Sequence, residues 1–588
     1  MERNWSRRQM LGALSALGAG SAVFGRAVAT LAAEESPVTV ETIRQASWIA
    51  GMQFTDDELE LMAKGVNETL EAFDALRAIR LDNGIAPALR FVPPGDVPEA
   101  PSPAARRAQP IETAPPPRPG SDDELAFMPL TELSALIRTR AISSVELTRL
   151  YLERLRDLDP RLHCVITLTE ALALEQAART DRELSRGIYR GPLHGIPWGA
   201  KDLLSVPGYP TTWGAFPYRG QVLPTKATVV SRLEHAGAVL VAKLSLGALA
   251  WGDVWFGGTT CNPWNLGQGS SGSSAGSAAA AAAGLVGFAI GSETWGSIVS
   301  PCTRCGATGL RPTFGRVSRF GAMALSWSMD KLGPIARSVE DCALVFDAIH
   351  GADGLDPTAS DRPFHWPARK DVRALRVGFV KSLFEEDRGA NAQAAEGAEQ
   401  SESADALREW QRFDNETLYV LERLGIELVP IELPDRYPVD ALSFILTAEA
   451  STAFDELTRS SDDDLLLRQV ENAWPNVFRQ GQLIPAVEYI RANRIRTLVI
   501  EELERTIEGL DAYVAPSFGG SNLLMTNLTG HPAVVLPNGF RSVDGTPTSI
   551  TFTGRLNGES ELLALAHAYQ QATDFHLQRP ELSFPDES

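Results

Sequence analysis

The chain has 588 residues, 44% of them hydrophobic and 22% charged, the composition of a globular protein with ample material for a core. Its formal net charge of −20 at pH 7, with no concentrated basic patch, argues against a nucleic-acid surface. Lysine is confined to Lys64, Lys201, Lys226, Lys243, Lys331, Lys370 and Lys381, so a lysine inside a motif carries weight.

The first residues, "MERNWSRRQMLGALSALGAGSAVFGRAVAT", combine a basic start, twin arginines Arg7 and Arg8, and a short, weakly apolar run from Met10 to Phe24. An A-x-A site follows at Ala27-Val28-Ala29. Residues 1–29 therefore read as a twin-arginine secretory signal, too short to span a membrane stably, and the expected location is periplasmic or secreted. Residues 38–94 read as a helical arm. Thr55 and Glu58 form a capping box, and Leu59, Met62, Val66, Leu70, Phe73, Leu76 and Ile79 recur at helical spacing. Such a stripe needs a partner, expected to be the main body. Residues 95–124 form a proline-rich linker, expected to be extended.

The body, residues 125–580, alternates helix-like segments ("SSVELTRLYLERLRDL") with strand-like ones ("AVLVAKL", "GLVGFAI", "LRVGFV", "AVVLPNGF"), which predicts an α/β sheet protein. An acidic stretch from about Phe384 to Ala404 reads as a surface insertion. No internal repeat is present. Five cysteines at this length do not make a disulfide scaffold. Cys302 and Cys305 form a C-x-x-C without the two further ligands a zinc site needs, which leaves a disulfide after export or two small packed hydrophobes. No metal and no cofactor is expected.

The stretch "LGQGSSGSSAGSAAAAAAGL" fits several patterns. Gly267, Gly269 and Gly272 spell a dinucleotide fingerprint, with Glu293 where a ribose-binding acid belongs, but "TTCNPWN" ahead of it holds an Asn-Pro turn where a strand is required. Gly272-Ser273-Ser274-Ala275-Gly276 spells a nucleophile elbow, with His531, His567 and His576 downstream, and lacks the same strand. A third chemistry uses serine without histidine: a neutral lysine as the ultimate base, relayed through one hydroxyl to a second. "GIPWGAKDLLSVPG" offers Lys201 after a strand-like run, and "GSETWGSIVSP" offers Ser297 in a glycine-containing turn where N–H groups converge.

Here the chain resembles the amidase signature family, on "GPLHGIPWGAKD", "NPWN" with the serine loop, "GSETWGSIVSPCTRCGATGLRPTFGRVS", "SMDKLGPIARSVEDCALVFDAIHG" and "NLTGHPAVVLPNGF". The closing "DGTPTSITFTGRLNGESELLALAHAYQQATDFH" matches as well. The resemblance implies the amidase signature fold, a mixed, twisted central β-sheet flanked by helices on both faces, with the arm at the amino terminus. It also implies a Ser–cis-Ser–Lys triad. Residue by residue this falls on Ser297, Ser273 and Lys201, with Ser274 supporting the relay and a cis bond at Gly272-Ser273. The 24-residue step from Ser273 to Ser297 agrees with the count from "NPWN".

In that mechanism Lys201 is neutral, at a cost of about 4 kcal/mol of lost ammonium solvation, and burial is the expected cause. It takes a proton from Ser273, which takes one from Ser297 as Ser297 attacks the carbonyl. An acyl-enzyme forms, and the oxyanion is held by backbone N–H groups of Thr294, Trp295, Gly296 and Ser297. The chain departs from the family at three places: Trp295 replaces a glycine, Glu293 an aspartate, and Val299 the arginine two residues after the nucleophile. The acid–arginine brace is then lost or passes to Arg304. Trp295 is expected to narrow the acyl pocket or to pack in the core.

The segment from Val38 to about Pro94 is similar to the small C subunit of the tRNA-dependent amidotransferase. Taken together, an exported amidase acting on a small-molecule carboxylic amide is expected, with no stable membrane span and with self-association left open. Esterase or carbamate hydrolase activity could use the same triad. The alternative is the glutaminase A subunit of a tRNA-dependent amidotransferase, which needs a B subunit, ATP and cytosolic tRNA. The leader and the acidic balance argue against it. Much of the specificity pocket is expected from about Gly354 to Gly520.

Overall fold

Among the described residues, eleven strands join in one mixed sheet. The computed structural model describes residues 37–89, 115–388 and 403–582. The leader at 1–29 lies outside the described residues, as do 95–114 of the linker and 389–402 of the acidic stretch. Phe384, at the start of that stretch, is buried, and Ala404 opens a helix, so the insertion is shorter than the composition suggested.

In chain order the strands are β1 (Val165–Leu168), β2 (Pro197–Lys201), β3 (Val239–Leu244), β4 (Phe288–Glu293), β5 (Thr308–Arg311) and β6 (Lys331–Ala336). They continue with β7 (Arg376–Val380), β8 (Glu427–Ile431), β9 (Ala512–Pro516), β10 (Ala533–Phe540) and β11 (Pro547–Gly554). Their spatial order is β1-β3-β2-β4-β6-β5-β10-β11-β9-β7-β8. β3, β2 and β4 run parallel to one another, as do β9, β7 and β8, and the strands between are antiparallel. Every residue of β2, β3, β4, β5, β6, β9 and β11 is buried, which requires helices over both faces of the sheet. This is the α/β architecture expected from the alternation. No described helix is long and apolar enough to cross a membrane.

The serine loop follows a two-stranded hairpin, Cys261–Asn262 with Asn265–Gly269, that stands outside the central sheet. A short strand therefore does precede the loop, but it is not the central strand a dinucleotide fold or an elbow uses. The loop runs into the helix Ala275–Ala282, whose eight residues are all buried. Alanine suits that position because its small side chain lets the helix press closely onto β2, β3, β4 and β6.

The described residues fall into two compact units. The sheet and its helices form one. The other joins the chain up to Pro87 with Asp440–Asp464 and Arg468–Ile495. The arm's long helix, Asp56–Arg77, starts at the Thr55–Glu58 capping box and buries Leu59, Met62, Phe73 and Leu76. Its partner is specific: Phe73 meets Phe444 edge-on at 5.0 Å. Arg479, itself buried, binds Glu58 at 2.8 Å, Asp463 at 2.9 Å and Asp464 at 2.8 Å. The stripe read from the sequence is thus covered by the helix Val40–Ser47, through Ile43, and by the helices of 440–495.

Candidate active site

β2 and β4 are parallel neighbours, so their carboxyl ends open side by side, where α/β sheets present reactive groups. Trp198 stacks on Phe288 at 5.9 Å across this pair, and β2 ends on Lys201 while β4 ends on Ser292 and Glu293. Lys201 Nζ is fully buried and lies 2.8 Å from Ser273 Oγ, 3.0 Å from Ser274 Oγ and 2.9 Å from Ser292 Oγ. Among the described residues no carboxylate is in hydrogen-bond contact with it. Lys243 on β3 is the contrast: equally buried, it sits 2.5 Å from the Asp202 carboxylate.

Burial lowers the Lys201 pKa well below that of an ordinary lysine, and the charges of Asp330 and Glu293 offset only part of this. The local bonding agrees with a neutral amine. Ser274 Oγ donates to Ser292 O at 3.0 Å and accepts from Ser292 N at 3.1 Å. Its own hydrogen is committed, so towards the lysine it can only accept. A neutral amine that donates to Ser274 and Ser292 keeps a lone pair available to the Ser273 hydroxyl, 2.8 Å away.

The serine loop brings Ser273 and Ser274 to the lysine by close backbone approach. The Gly272–Ser273 peptide bond is cis. A Cβ on Gly272 would fall 1.8 Å from Gly252 O, so only glycine fits there. The glycines of the phosphate and elbow patterns are thus used for close packing, Gly272 against Gly252, Gly269 against Asp253 and Gly276 against Cys164 and Ser245. Among the described residues Ser274 makes no hydrogen bond to a histidine, and His531 instead bonds to Glu504 at 2.9 Å.

Ser274 N donates to Ser297 O at 3.1 Å, which ties the serine loop to the turn after β4. Gly296 in that turn has φ +84°, a conformation that glycine adopts without strain. Ser297 is buried, and among the described residues its hydroxyl has no hydrogen-bond partner. Nor do the N–H groups of Thr294, Trp295, Gly296 and Ser297 donate to any acceptor there. A hydroxyl and a row of unused donors in one turn can engage a carbonyl and the oxyanion it becomes. Trp295 is 45% exposed, so the core-packing alternative is excluded.

The turn is braced by Glu293, though not through Arg304. The Glu293 carboxylate accepts from Ile298 N at 2.8 Å and Val299 N at 2.9 Å, and from Arg311 Nη1 at 2.7 Å and Asn527 Nδ2 at 2.8 Å. Arg311 reaches it from β5, two strands away, because the order β4-β6-β5 sets β5 beyond β6. Burial pushes the Glu293 carboxyl up, but the Arg311 guanidinium and the other donors outweigh it and hold the pKa at about 2, from an ordinary 4.5. The stabilisation is fully present above about pH 4.5 and is lost as pH falls towards 2. Arg311→Met leaves a buried carboxylate uncompensated and is expected to cost about 3–5 kcal/mol in urea unfolding at pH 7. An unchanged midpoint would remove the brace from this account.

Sequence reasoning missed Ser292, Arg311, Asn527 and Asp330, the last accepting from Thr294 Oγ1 at 2.6 Å. Ser292, one residue before the acid, was within view in "GSETWGS"; the others come from distant segments. Cys302 and Cys305 are both free and buried on the helix Val299–Cys305, so the disulfide alternative is not realised in this structure.

The family model described as Amidase matches residues 146–523. The chain is 35% identical to the A subunit of the glutamyl-tRNA(Gln) amidotransferase of Marinomonas sp. over 500 residues, 77% of this chain and 98% of that protein. It is 34% identical to the corresponding protein of Moorella thermoacetica, over 78% of this chain and 99% of the relative. The peptide amidase of Stenotrophomonas maltophilia superposes with a TM-score of 0.64 at 30% identity, over 77% of this chain and 98% of that structure.

Proposed function

The chain belongs to the amidase signature family, whose chemistry is amide hydrolysis, and from that premise we propose that it is an exported amidase working through Ser297, Ser273 and Lys201. The observation that carries the reading is a buried lysine amine set among serine hydroxyls with no carboxylate in hydrogen-bond contact among the described residues. Neutral Lys201 takes the Ser273 proton, and Ser273 takes that of Ser297 as Ser297 Oγ adds to the amide carbonyl. The N–H groups of Thr294, Trp295, Gly296 and Ser297 receive the oxyanion. The C–N bond then breaks, the relay returns the proton to the departing nitrogen, and water releases the acid from the acyl-enzyme. Ser274 and Ser292 hold the amine in position. Export is supported by Arg7, Arg8 and the A-x-A site at Ala27 to Ala29.

A second reading, the glutaminase component of a tRNA-dependent amidotransferase, is favoured by the 35% identity to such a protein over nearly its whole length. One experiment separates the two. Aliphatic, aryl, peptide and carbamate amides and glutamine are offered to periplasmic and cytosolic fractions, and released amine is measured. Hydrolysis without ATP or tRNA in the exported fraction, moved to the cytosol by Arg7→Lys with Arg8→Lys, is expected. Glutaminase activity that rises with ATP and tRNA, with a B-like partner co-purifying, would support the second reading instead.

A further inference from the structure

Beside the serine loop lies a cavity of about 150 Å³ whose charge the mechanism above does not use. Ser271 lines it from the loop, two residues before Ser273. Ser300, Thr303 and Arg304 line it from one face of the helix Val299–Cys305, which begins two residues after Ser297. Trp410 and Phe518, edge-on at 6.1 Å, form an aromatic wall. Two segments that carry or adjoin reacting hydroxyls, the serine loop and the helix after Ser297, thus also wall a small chamber that is apolar on one side and cationic on the other.

Two arginines line this chamber, and they differ. Arg541 is spoken for by Asp544, whose carboxyl it holds well below the usual range against the opposing effect of burial. Arg304 is half-buried, yet among the described residues its guanidinium has no hydrogen bond and no ion pair. Thr303 Oγ1 is likewise committed, bonded to Val299 O at 2.8 Å and to Ser549 Oγ at 2.6 Å. A half-buried guanidinium with open donors gains most from a planar anion that can take two of them at once.

We infer that this cavity is a substrate subsite and that Arg304 selects amides carrying a carboxylate. The inference rests on the amidase reading above. Trp410 and Phe518 would cover the carbon chain leading to the carboxylate, and Arg304 would take its oxygens. Arg304 is thus a specificity residue rather than the brace for Glu293.

The test uses matched pairs and the full-length enzyme: the 4-nitroanilides of glutaric and pentanoic acid, and 4-acetamidobenzoate against 4-methylacetanilide. The carboxylate lies on the acyl side in one pair and on the amine side in the other. Wild type is expected to favour the carboxylate member of at least one pair by about tenfold or more in kcat/KM. Arg304→Gln should bring that ratio close to one, and Arg304→Lys should restore part of it. Glutarate binding, measured by calorimetry, should weaken by a similar factor in Arg304→Gln. If neither pair is hydrolysed while the broader panel of amides is, glutarate binding decides: weakening in Arg304→Gln supports the assignment and unchanged affinity overturns it, whereas no hydrolysis of any amide is a failure of the amidase reading itself. Equal rates within both pairs, or a preference that survives Arg304→Gln, would overturn the assignment. Glutarate binding without any substrate preference would overturn it too, by marking the anion as a free ligand.

Discussion

Ser297→Ala is expected to lower kcat for amide hydrolysis by a factor on the order of 10⁴–10⁶, leaving only what substrate binding and the backbone donors supply. The loss should come without unfolding, since the Ser297 hydroxyl bonds to nothing among the described residues and its removal strands no partner. The N–H of residue 297 survives the substitution, so the oxyanion position is kept while the nucleophile is lost. Unchanged thermal stability with turnover at background is the expected pair of readings. Turnover within tenfold of wild type would place the nucleophile elsewhere.

Lys201→Met tests the base of the relay. Turnover should fall by several orders of magnitude, because Ser273 loses the group that accepts its proton. The pH dependence of stability should also change. The Lys201 pKa is lowered in the fold by burial, so between that lowered value and the ordinary one the unfolded chain holds a proton that the folded chain does not. Over that window wild-type stability increases with pH, and Lys201→Met should remove this dependence. Wild-type activity should rise with pH as the lysine loses its proton, at a pH below that of an ordinary lysine, and the limb should be absent from the variant. A variant that keeps the rising limb would contradict a neutral Lys201.

What could be read in the sequence was local or tied to spacing. Thr55 and Glu58 announce a helix start through contacts three residues apart, and the start is there. Lys201 follows a run of strand character and ends a strand. The serine loop and Lys201 were singled out by motif, and Ser273 and Ser274 do lie in hydrogen-bond contact with Lys201. What could not be read depends on strand order and on which segments meet. Val299 stands where an arginine was looked for, and nothing local indicates that Arg311 replaces it, because that contact exists only once β6 lies between β4 and β5. Arg304 is nearer in sequence to Glu293 and on the adjoining helix, yet its side chain lines the chamber beside Ser271. The apolar stripe on Asp56–Arg77 implied a partner without saying which, and the helices of 440–495 lie about 400 residues further on.

The central claim is that Ser297 forms the covalent bond, with Ser273 and Lys201 serving it. Its most direct measurement is mass mapping of the peptide modified by a fluorophosphonate, in wild type and in Lys201→Met. A single adduct on Ser297, formed orders of magnitude more slowly in the variant, is the predicted result. An adduct on Ser273 or Ser274, or labelling at the wild-type rate without Lys201, would contradict it.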